Sequence, residues 1–390
     1  MLRHLVVILA VALLIGCVSV PKRTPVPVAL TDEAEIPGIP FARQWGDGPP
    51  PMWKTWIELT REQLQERSPA VFGQSHHYLA ISGGGAKGAF GAGLLAGWRA
   101  AGTRPEFSLV TGISTGALTA PFAFLGPDYD DELKEMYTNY STADLVNRRN
   151  WLNAMTSDAM ASTKKLAALI AKYYDDEVIE AIAREKRRGR ELAIGTTNLD
   201  AQRPVVWNIT RIADSGHPQA KELIHSIILA SASIPGAFPP VSIGVEANGR
   251  RYEEMHVDGG ATSQVFLYPA MIPWNTVLER LEVPDTPQVW VIRNSWLDPT
   301  VGMVRRRLLP ITGRTIVSLI RSQGVGDLYR IYALTQRDGL DFNLTYIPGD
   351  FTDQPTEQFD PVWMRKLYDR GFEIGRSGEA WHDAPPELAQ

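Results

Sequence analysis

The chain has 390 residues, of which 44% are hydrophobic and 21% are charged, a composition typical of a globular protein with a large core. Its formal net charge is −5, so no basic face for nucleic acid is indicated. The only cysteine is Cys17, which excludes an intrachain disulfide.

The N-terminus has the layout of a signal peptide over residues 1–16. Arg3 supplies the positive charge, and the apolar run at residues 5–15 is shorter than the roughly 18 residues of a membrane-spanning helix. The ending Leu-Ile-Gly-Cys17 resembles the bacterial lipoprotein box, in which the cysteine becomes the lipidated first residue. This resemblance implies a membrane anchor on Cys17, and Val18 in place of Asp favours the outer membrane, facing the periplasm. The alternative is a short membrane anchor with an incidental cysteine.

The next segment, residues 17–75, is expected to join this lipid to the folded domain. Prolines are frequent between residues 18 and 52, which favours an extended, weakly structured tether. The stretch WKTWIELTREQLQER, beginning at Trp53, has helical spacing and is predicted to pack at the domain edge.

Strand and helix patterns alternate from His77 onward. Strands are predicted at HYLAIS, FSLVTGI, ELAIGTTNLD, RPVVWNIT, RYEEMHVDGG and QVWVIRNS. Helices are predicted at AFGAGLLAGWRAAG, STGALTAPFAF, DDEVIEAIAREKRRG and KELIHSIILASASIP. This alternation predicts an α/β layer fold, in which ligands bind beyond the carboxyl ends of the strands.

The first motif is the glycine loop after the first of these strands. Residues 83–88 match G-x-G-x-x-G between a strand and a helix, as in dinucleotide-binding loops. The acidic residue that such a loop requires is misplaced, because Glu106 precedes the second strand. The Walker pattern is not met, since no Ser or Thr follows Lys87 and Gly88. Phosphate binding stays open as an alternative.

The second motif, Gly112-Ile-Ser114-Thr-Gly116, lies between a strand and a helix. This is the G-x-S-x-G context of a nucleophile elbow, where small flanking residues allow a sharp turn. The helix N-terminus would favour negative charge developing at Ser114. The alternative is that Ser114 merely caps the helix.

The third motif is Asp258-Gly259-Gly260 at the end of a predicted strand. Taken alone, Asp-Gly is most often a turn. A serine hydroxyl nevertheless needs a base, and a carboxylate at a strand end is a candidate for that role.

The stretches SGGGAKGAFGAGLL, TGISTGAL, ASASIPGAFPPV and HVDGG together resemble the patatin-like phospholipases, in the same order and at similar intervals. The resemblance covers roughly residues 77–270. It implies a three-layer α/β/α domain with a central mixed, largely parallel sheet. It also implies hydrolysis of lipid acyl esters by a Ser–Asp dyad, without a cofactor, a metal or a catalytic histidine.

Carried over to this sequence, the resemblance makes Ser114 the nucleophile and Asp258 the base. The implied oxyanion hole is formed by the glycine loop, namely Gly83, Gly84, Gly85, Lys87 and Gly88. This chain departs from the family where an Asn-x-Pro usually follows the Asp-Gly-Gly motif, which leaves the shape of that loop open.

We therefore expect a catalytic core at residues 76–270 and, at 271–390, a helical cover with late strands of the same domain. Within the latter, residues 300–337 are expected to form a helix pair that covers the site or touches lipid headgroups, or that simply packs on the sheet. Two alternatives to the dyad stay open. One is a Ser–Asp–His triad in that chain order, for which His382 is the only histidine after Asp258. His256 would point to the same face of its strand as Asp258, although the pattern favours a histidine on the strand surface. The other is a catalytically silent lipoprotein. The sequence does not indicate an oligomeric state.

Overall fold

The computed structural model describes residues 23–148, 159, 161–299, 302–386 and 388. Within these ranges the strands are, in chain order, β1 (Arg43–Trp45), β2 (His77–Ile81), β3 (Leu109–Ile113), β4 (Asn147–Arg148), β5 (Ala161–Ser162), β6 (Glu191–Asn198), β7 (Arg203–Asn208), β8 (Val241–Ala247), β9 (Arg250–Asp258), β10 (Gln288–Arg293) and β11 (Asp341–Tyr346).

The α-helices of the same ranges are α1 (Trp53–Ile57), α2 (Arg61–Arg67), α3 (Gly88–Ala100), α4 (Thr115–Leu125), α5 (Asp130–Thr138), α6 (Thr142–Leu145), α7 (Lys164–Tyr173), α8 (Asp176–Arg187), α9 (Ile209–Ala213), α10 (Ala220–Ser231), α11 (Trp274–Arg280), α12 (Leu308–Asp338) and α13 (Pro361–Ser377).

A nine-stranded sheet organises the described part of the chain. Its main path runs β1-β7-β6-β3-β2-β10-β11, while β9 pairs with both β6 and β8. Strands β6, β3, β2, β10 and β11 are mutually parallel, whereas β7, β1, β9 and β8 pair antiparallel. The five parallel strands therefore end at one edge of the sheet, which we call the carboxyl edge.

Helices cover both faces of this sheet. Leu79 and Ile81 of β2 pack into a core cluster with residues of α3, α4 and α13. The alternate residues Tyr78 and Ala80 point to the other face and pack with Leu328 of α12. The predicted three-layer α/β/α fold with a central mixed, largely parallel sheet is confirmed.

The N-terminal segment differs from the weakly structured tether that its proline content favours. In the described part, Ala34, Ile36 and Ile39 are buried in the main core, and β1 adds to the sheet edge by pairing with β7. Arg43 forms a buried ion pair with Glu254 of β9. Proline content reports a stiff, extended backbone, but it does not reveal that the apolar residues between the prolines have a sheet to pack on.

Two helical predictions also change. The stretch from Trp53 forms α1 and α2 rather than one helix, because Thr60 and Gln63 build a capping box that starts α2. The helix pair predicted within residues 300–337 is wrong, since residues 308–338 form the single helix α12, which ends at Gly339 in a left-handed conformation.

Helices α3 and α13 approach each other more closely than side chains would allow. A Cβ added to Gly93 would lie 2.0 Å from the Tyr368 carbonyl oxygen, and one added to Gly97 would lie 2.0 Å from that of Phe372. Gly371 faces the carbonyl of Phe90 in the same way. These glycines fix α3, and with it the glycine loop that precedes α3.

Within the described ranges, no helix combines the length and the apolar character needed to cross a membrane. The predicted signal peptide and the predicted lipidation site at Cys17 lie outside the described residues.

Candidate active site

Strands β3 and β9 meet end to end along β6. β3 runs parallel to β6 and ends with Ile113 opposite Gly195. β9 runs antiparallel to β6 on the same side and ends with Asp258 opposite Thr196. Since Gly195 and Thr196 are consecutive, the residue after β3 and the last residue of β9 are brought together. These two residues are Ser114 and Asp258.

Ser114 occupies a sharp turn between β3 and α4. Its φ of 56° lies in the left-handed region that few residues other than glycine adopt. A Cβ on Gly112 would lie 2.3 Å from the Gly116 carbonyl oxygen, and one on Gly116 would lie 2.2 Å from that of Ile81. The elbow glycines predicted from the sequence are therefore required by the close crossing of the backbone.

The Ser114 amide is held by a side chain that the sequence motifs did not single out. Ser114 N–H donates to Ser231 Oγ over 2.9 Å, and Ser231 Oγ–H donates to the Gly195 carbonyl over 2.7 Å. Ser231 is the last residue of α10 and is fully buried. Its place in the ASASIP stretch is the only sequence signal that pointed to it.

Asp258 lies at the end of β9, buried, with its side chain against Ser114. Burial raises the pKa of this carboxyl to about 6, although hydrogen bonds from the Ser114 hydroxyl and the Gly260 amide favour the ionised form. The Gly260 N–H donates to Asp258 Oδ1 over 2.7 Å. A Cβ on Gly259 would lie 2.5 Å from the Gly195 carbonyl oxygen, so this position admits only glycine.

The glycine loop packs directly against the elbow, because a Cβ on Gly83 would lie 3.1 Å from Ser114 Cβ. The Gly83 amide donates to the Gln264 carbonyl over 3.1 Å, and the Gly88 amide donates to carbonyls within the loop. Among the described residues, no acceptor is recorded for the amides of Gly84 and Gly85. Two of the five residues predicted for an oxyanion hole thus have free amides.

Asn294 fixes the shape of this loop. It follows β10, is fully buried, donates from Nδ2 to the Ser82 carbonyl over 3.1 Å and accepts from Gly91 N–H over 3.1 Å. A Cβ on Gly84 would lie 2.3 Å from the Asn294 carbonyl oxygen. Asn294 stands in none of the sequence motifs. A polar residue directly after a buried parallel strand, at the edge where ligands bind, was an available signal.

Two basic side chains lie close together here, Lys87 of the glycine loop and Arg293 at the end of β10. Burial lowers the pKa of the Lys87 ammonium to about 8, and the nearby charge of Arg293 lowers it as well. Lys87 Nζ donates to Ser295 Oγ over 3.2 Å and lies over the Trp296 ring. Gly88 allows α3 to approach α4, since a Cβ there would lie 2.2 Å from Thr115 Oγ1.

Helix α12 anchors the loop that follows the Asp-Gly-Gly motif, where an Asn-x-Pro is absent. Asp327 Oδ2 accepts hydrogen bonds from Gln264 N–H over 2.6 Å and from Ser263 Oγ–H over 3.1 Å. Gln264 Nε2 in turn donates to the Gly260 carbonyl over 2.7 Å. The loop is therefore tied both to α12 and to the turn that follows Asp258.

In the described part of the chain, neither His256 nor His382 lies at Ser114. His256 is fully buried between Thr196 and Glu254, within 3.0 and 3.2 Å of their side-chain oxygens, and is not the strand-surface residue that the pattern favoured. His382 bridges to Leu344 of β11, at the far end of the sheet from β3. Across the described ranges, no group of three or more His, Cys, Asp or Glu residues has the arrangement of a metal site.

A cavity of about 850 Å³ lies against β3, β6 and β7. Aromatic side chains line part of it, including Trp53, Trp56, Phe266 and Trp274, and it reaches Ile113, Gly195 and Gly259. Ser114 and Asp258 do not line it, although each adjoins a residue that does.

Comparison with known proteins finds a matching family model and a similar solved structure. A family model described as patatin-like phospholipase matches residues 79–271, which include the glycine loop, the elbow and the Asp-Gly-Gly motif. The crystal structure of VipD from Legionella pneumophila is similar at 13% identity and a TM-score of 0.39, over 79% of this chain and 67% of VipD. No curated protein matches the sequence. Residues 79–271, just under half of the chain, therefore form a patatin-like phospholipase domain, which supports a lipid hydrolase in general.

Proposed function

We propose that this protein is a serine acyl hydrolase that cleaves carboxylic ester bonds of membrane lipids with a Ser114–Asp258 dyad. The observation that carries the proposal is the end-to-end meeting of β3 and β9 on β6, which puts a serine hydroxyl against a buried carboxylate. A nucleophile paired with a base is the minimum arrangement for covalent acyl transfer.

In the proposed reaction, Asp258 takes the hydroxyl proton as Ser114 Oγ attacks the ester carbonyl carbon. The tetrahedral oxyanion accepts hydrogen bonds from the free amides of Gly84 and Gly85, and each such donor typically accelerates acyl transfer by about 10² to 10³. The alcohol leaves with the proton returned by Asp258. A water molecule then gives a proton to Asp258 as its oxygen attacks the acyl carbonyl carbon. The fatty acid is released when the bond to Ser114 Oγ breaks and Asp258 returns the proton to that oxygen.

The triad alternative requires a histidine between Ser114 and a carboxylate. Both ring nitrogens of His256 are hydrogen-bonded, one to Thr196 and one to Glu254. His382 lies at β11, three strands away from β3. The dinucleotide alternative requires an acidic residue at the end of β3, whereas Glu106 precedes β3 and is paired with Arg188. These placements favour the dyad.

The catalytically silent alternative is tested by the reaction itself. Purified protein is incubated with a mixed lipid extract, and the released products are identified by mass spectrometry. We expect free fatty acid from the wild type, none from Ser114→Ala, and wild-type release from Ser242→Ala, a control at an exposed serine of β8. Equal release by wild type and Ser114→Ala would exclude Ser114 as the nucleophile. No release from any lipid would favour the silent alternative.

We further propose that the protein is anchored to the envelope, facing the periplasm, through lipidated Cys17. The Leu-Ile-Gly-Cys17 ending supports this. Arg23, the first described residue, is paired with Asp200, just beyond the carboxyl end of β6. Cys17 precedes Arg23 by six residues, so an extended chain would place the lipid within about 20 Å of the carboxyl edge. Labelling with palmitate, lost in Cys17→Ala, is the expected result; label retained in that variant would contradict it.

A further inference from the structure

Helix α12 is longer than its place in the sheet requires. It connects the carboxyl end of β10 to the start of the parallel strand β11, so it runs back along the sheet in the opposite direction. Its 31 residues extend about 46 Å, whereas a six-residue strand such as β10 extends about 20 Å. The surplus at its N-terminal end must project beyond the carboxyl edge, where Ser114 follows β3.

The two parts of α12 have different surroundings. In the C-terminal part, Leu328 and Ile331 are buried against β2 and β10. The N-terminal part, residues 308–322, has no buried residue among those whose side chains are described. Large apolar side chains are exposed there and just before it, and Leu308 is 79% and Leu319 64% accessible; the others are Met303, Val304, Ile311, Ile316, Val317 and Ile320. We call residues 303–322 the projecting segment.

The charge of the projecting segment is opposite to that of the chain. The chain as a whole has a formal net charge of −5. Between Gly302 and Gly326 there are no acidic residues, and the basic ones are Arg305, Arg306, Arg307, Arg314 and Arg321. A segment that combines exposed apolar side chains with clustered arginine has the composition of an interfacial helix, which binds anionic lipid.

The helix has an apolar side and a basic side. At about 100° per residue, the exposed residues Leu308, Ile316, Leu319 and Ile320 fall within an arc of about 120°. Ile311 and Val317 lie outside that arc, to either side of the arginines. Arg314 and Arg321 lie together on the opposite side. Long arginine stems allow such charges to reach lipid phosphates while the apolar side enters the acyl region.

The projecting segment leaves the body of the protein at the catalytic loops. The next turn of α12 carries Gln323 and Asp327, which hydrogen-bond Gln264 in the loop after Asp258. Arg321 Nε donates to the Leu297 carbonyl, in the loop after β10. A surface bound by this segment is therefore held in front of the carboxyl edge, where the ion pair of Arg23 with Asp200 also lies.

We propose that the projecting segment docks the protein on an anionic phospholipid surface and thereby presents the carboxyl edge to lipid esters. This inference rests on the proposed function. It names the substrate as lipid within an anionic bilayer and assigns α12 a role distinct from the dyad.

The test measures vesicle binding separately from hydrolysis. The chain from Val18, which contains every described residue, carries Ser114→Ala so that lipids stay intact. It is sedimented with vesicles of phosphatidylethanolamine and phosphatidylglycerol in a three-to-one ratio, and with vesicles of phosphatidylcholine alone. We expect binding to the anionic vesicles that weakens in high salt, and little binding to the neutral ones.

Variants of the projecting segment have matched controls. Arg305→Gln/Arg306→Gln should weaken binding about 30-fold, since each arginine near an anionic surface contributes about a factor of five. Lys54→Gln/Arg67→Gln removes two exposed charges from α1 and α2 and should leave binding unchanged. Ile316→Ser/Leu319→Ser should also weaken binding. Val28→Ser/Val362→Ser, which changes two exposed valines outside the projecting segment, should not.

Hydrolysis of a water-soluble short-chain ester, measured with Ser114 intact, separates docking from chemistry. We expect the segment variants to keep wild-type turnover on this ester and to lose it on vesicles. Unchanged vesicle binding in both segment variants would overturn the docking proposal. The proposal would also be overturned if the wild type formed a dimer that dissociates in these variants while vesicle binding persists. Failure of the wild type to hydrolyse any ester would instead contradict the proposed function, and the binding result would stand independently.

Discussion

At the scale of residues, the site depends on two unfavourable features that support each other. Ser114 holds a positive φ, and Asp258 is an ionisable carboxyl that is almost fully buried. Strain and burial of this kind persist only where the surrounding structure fixes them. Here Ser231 holds the Ser114 amide, and Gly260 donates to the Asp258 carboxylate.

The pKa of Asp258 predicts the pH dependence of activity. A general base must be ionised, and burial raises this pKa to about 6. We therefore expect kcat/KM for a soluble ester to rise with pH through about 6 and then to level off. If the charge of Lys87 assists the oxyanion, the profile of kcat/KM against pH should show a second transition at higher pH, near the Lys87 pKa, which is lowered to about 8. A flat profile between about pH 5 and 7 would contradict Asp258 as the base.

The same pKa predicts a gain of stability when Asp258 is replaced. The carboxyl ionises near pH 6 in the folded chain but near 3.9 when unfolded, so its ionisation costs about 3 kcal/mol of folding free energy at neutral pH. That cost is absent below the unfolded pKa and grows as the pH rises through the folded pKa. Asp258→Asn should therefore be inactive, yet more stable than wild type at about pH 8 and equally stable at about pH 4. Denaturant unfolding at both pH values tests this, and a variant that is less stable at both would refute it.

The conformation of Ser114 predicts a contrast between two inactive variants. Glycine adopts a positive φ without strain, whereas alanine does not. Ser114→Gly should raise the free energy of unfolding by about 1 kcal/mol relative to Ser114→Ala, since both lack the hydroxyl and only one relieves the strain. Thermal unfolding of the pair measures this difference, and equal stability would show that the elbow is not strained.

At the scale of elements, the helix pair α3–α13 determines where the glycine loop lies. Gly97→Ala would place a methyl group 2.0 Å from the Phe372 carbonyl oxygen, so we expect a loss of about 3 kcal/mol or more. Gly326→Ala in α12 is the matched control. It has open space around it and should gain up to about 1 kcal/mol from helix propensity. A mild effect of Gly97→Ala, comparable to the control, would mean that the two helices are not held at this distance.

Elements with a local signature were predictable from the sequence. β2, β3, β6, β7, β9 and β10 lie where the apolar runs placed them, and each catalytic motif stands at a strand end. β8 was not predicted, because its residues alternate between buried and exposed only once it pairs with β9. The length of α12 was also missed, because Gly313, Gly324 and Gly326 interrupt the helical pattern of the sequence. In the folded chain, burial of the second half of α12 stabilises the helix despite these glycines.

The site was predictable where a motif carried its chemistry, and not where a single residue supported it. Ser114 and Asp258 stand in recognisable motifs, whereas Ser231, Asn294 and Gln264 act through hydrogen bonds to residues distant in sequence. Such contacts depend on the order of the strands, and the strand order is not a local property of the chain.

At the scale of the whole molecule, the N-terminal segment is part of the domain. Residues of this segment bury Trp207 and extend the sheet through β1. A chain that starts at residue 46 should therefore unfold at a clearly lower temperature than one that starts at residue 23, because it exposes the β7 edge. Equal melting temperatures would restore the view of this segment as a tether.

Three features of the described structure lie at the same edge of the sheet. Ser114 and Asp258, the projecting segment of α12 and Arg23, the first described residue, all lie at or beyond the carboxyl edge of one sheet. A lipid hydrolase arranged in this way would act on the bilayer to which it is bound.

The most direct test of the Ser–Asp mechanism is to map and time the reaction with a fluorophosphonate, which traps activated serines. Peptide mass analysis should find a single adduct at Ser114 in the wild type, with labelling slowed at least about 100-fold in Asp258→Asn and unchanged in His382→Ala. An adduct on another residue, or labelling of Asp258→Asn at the wild-type rate, would contradict the dyad.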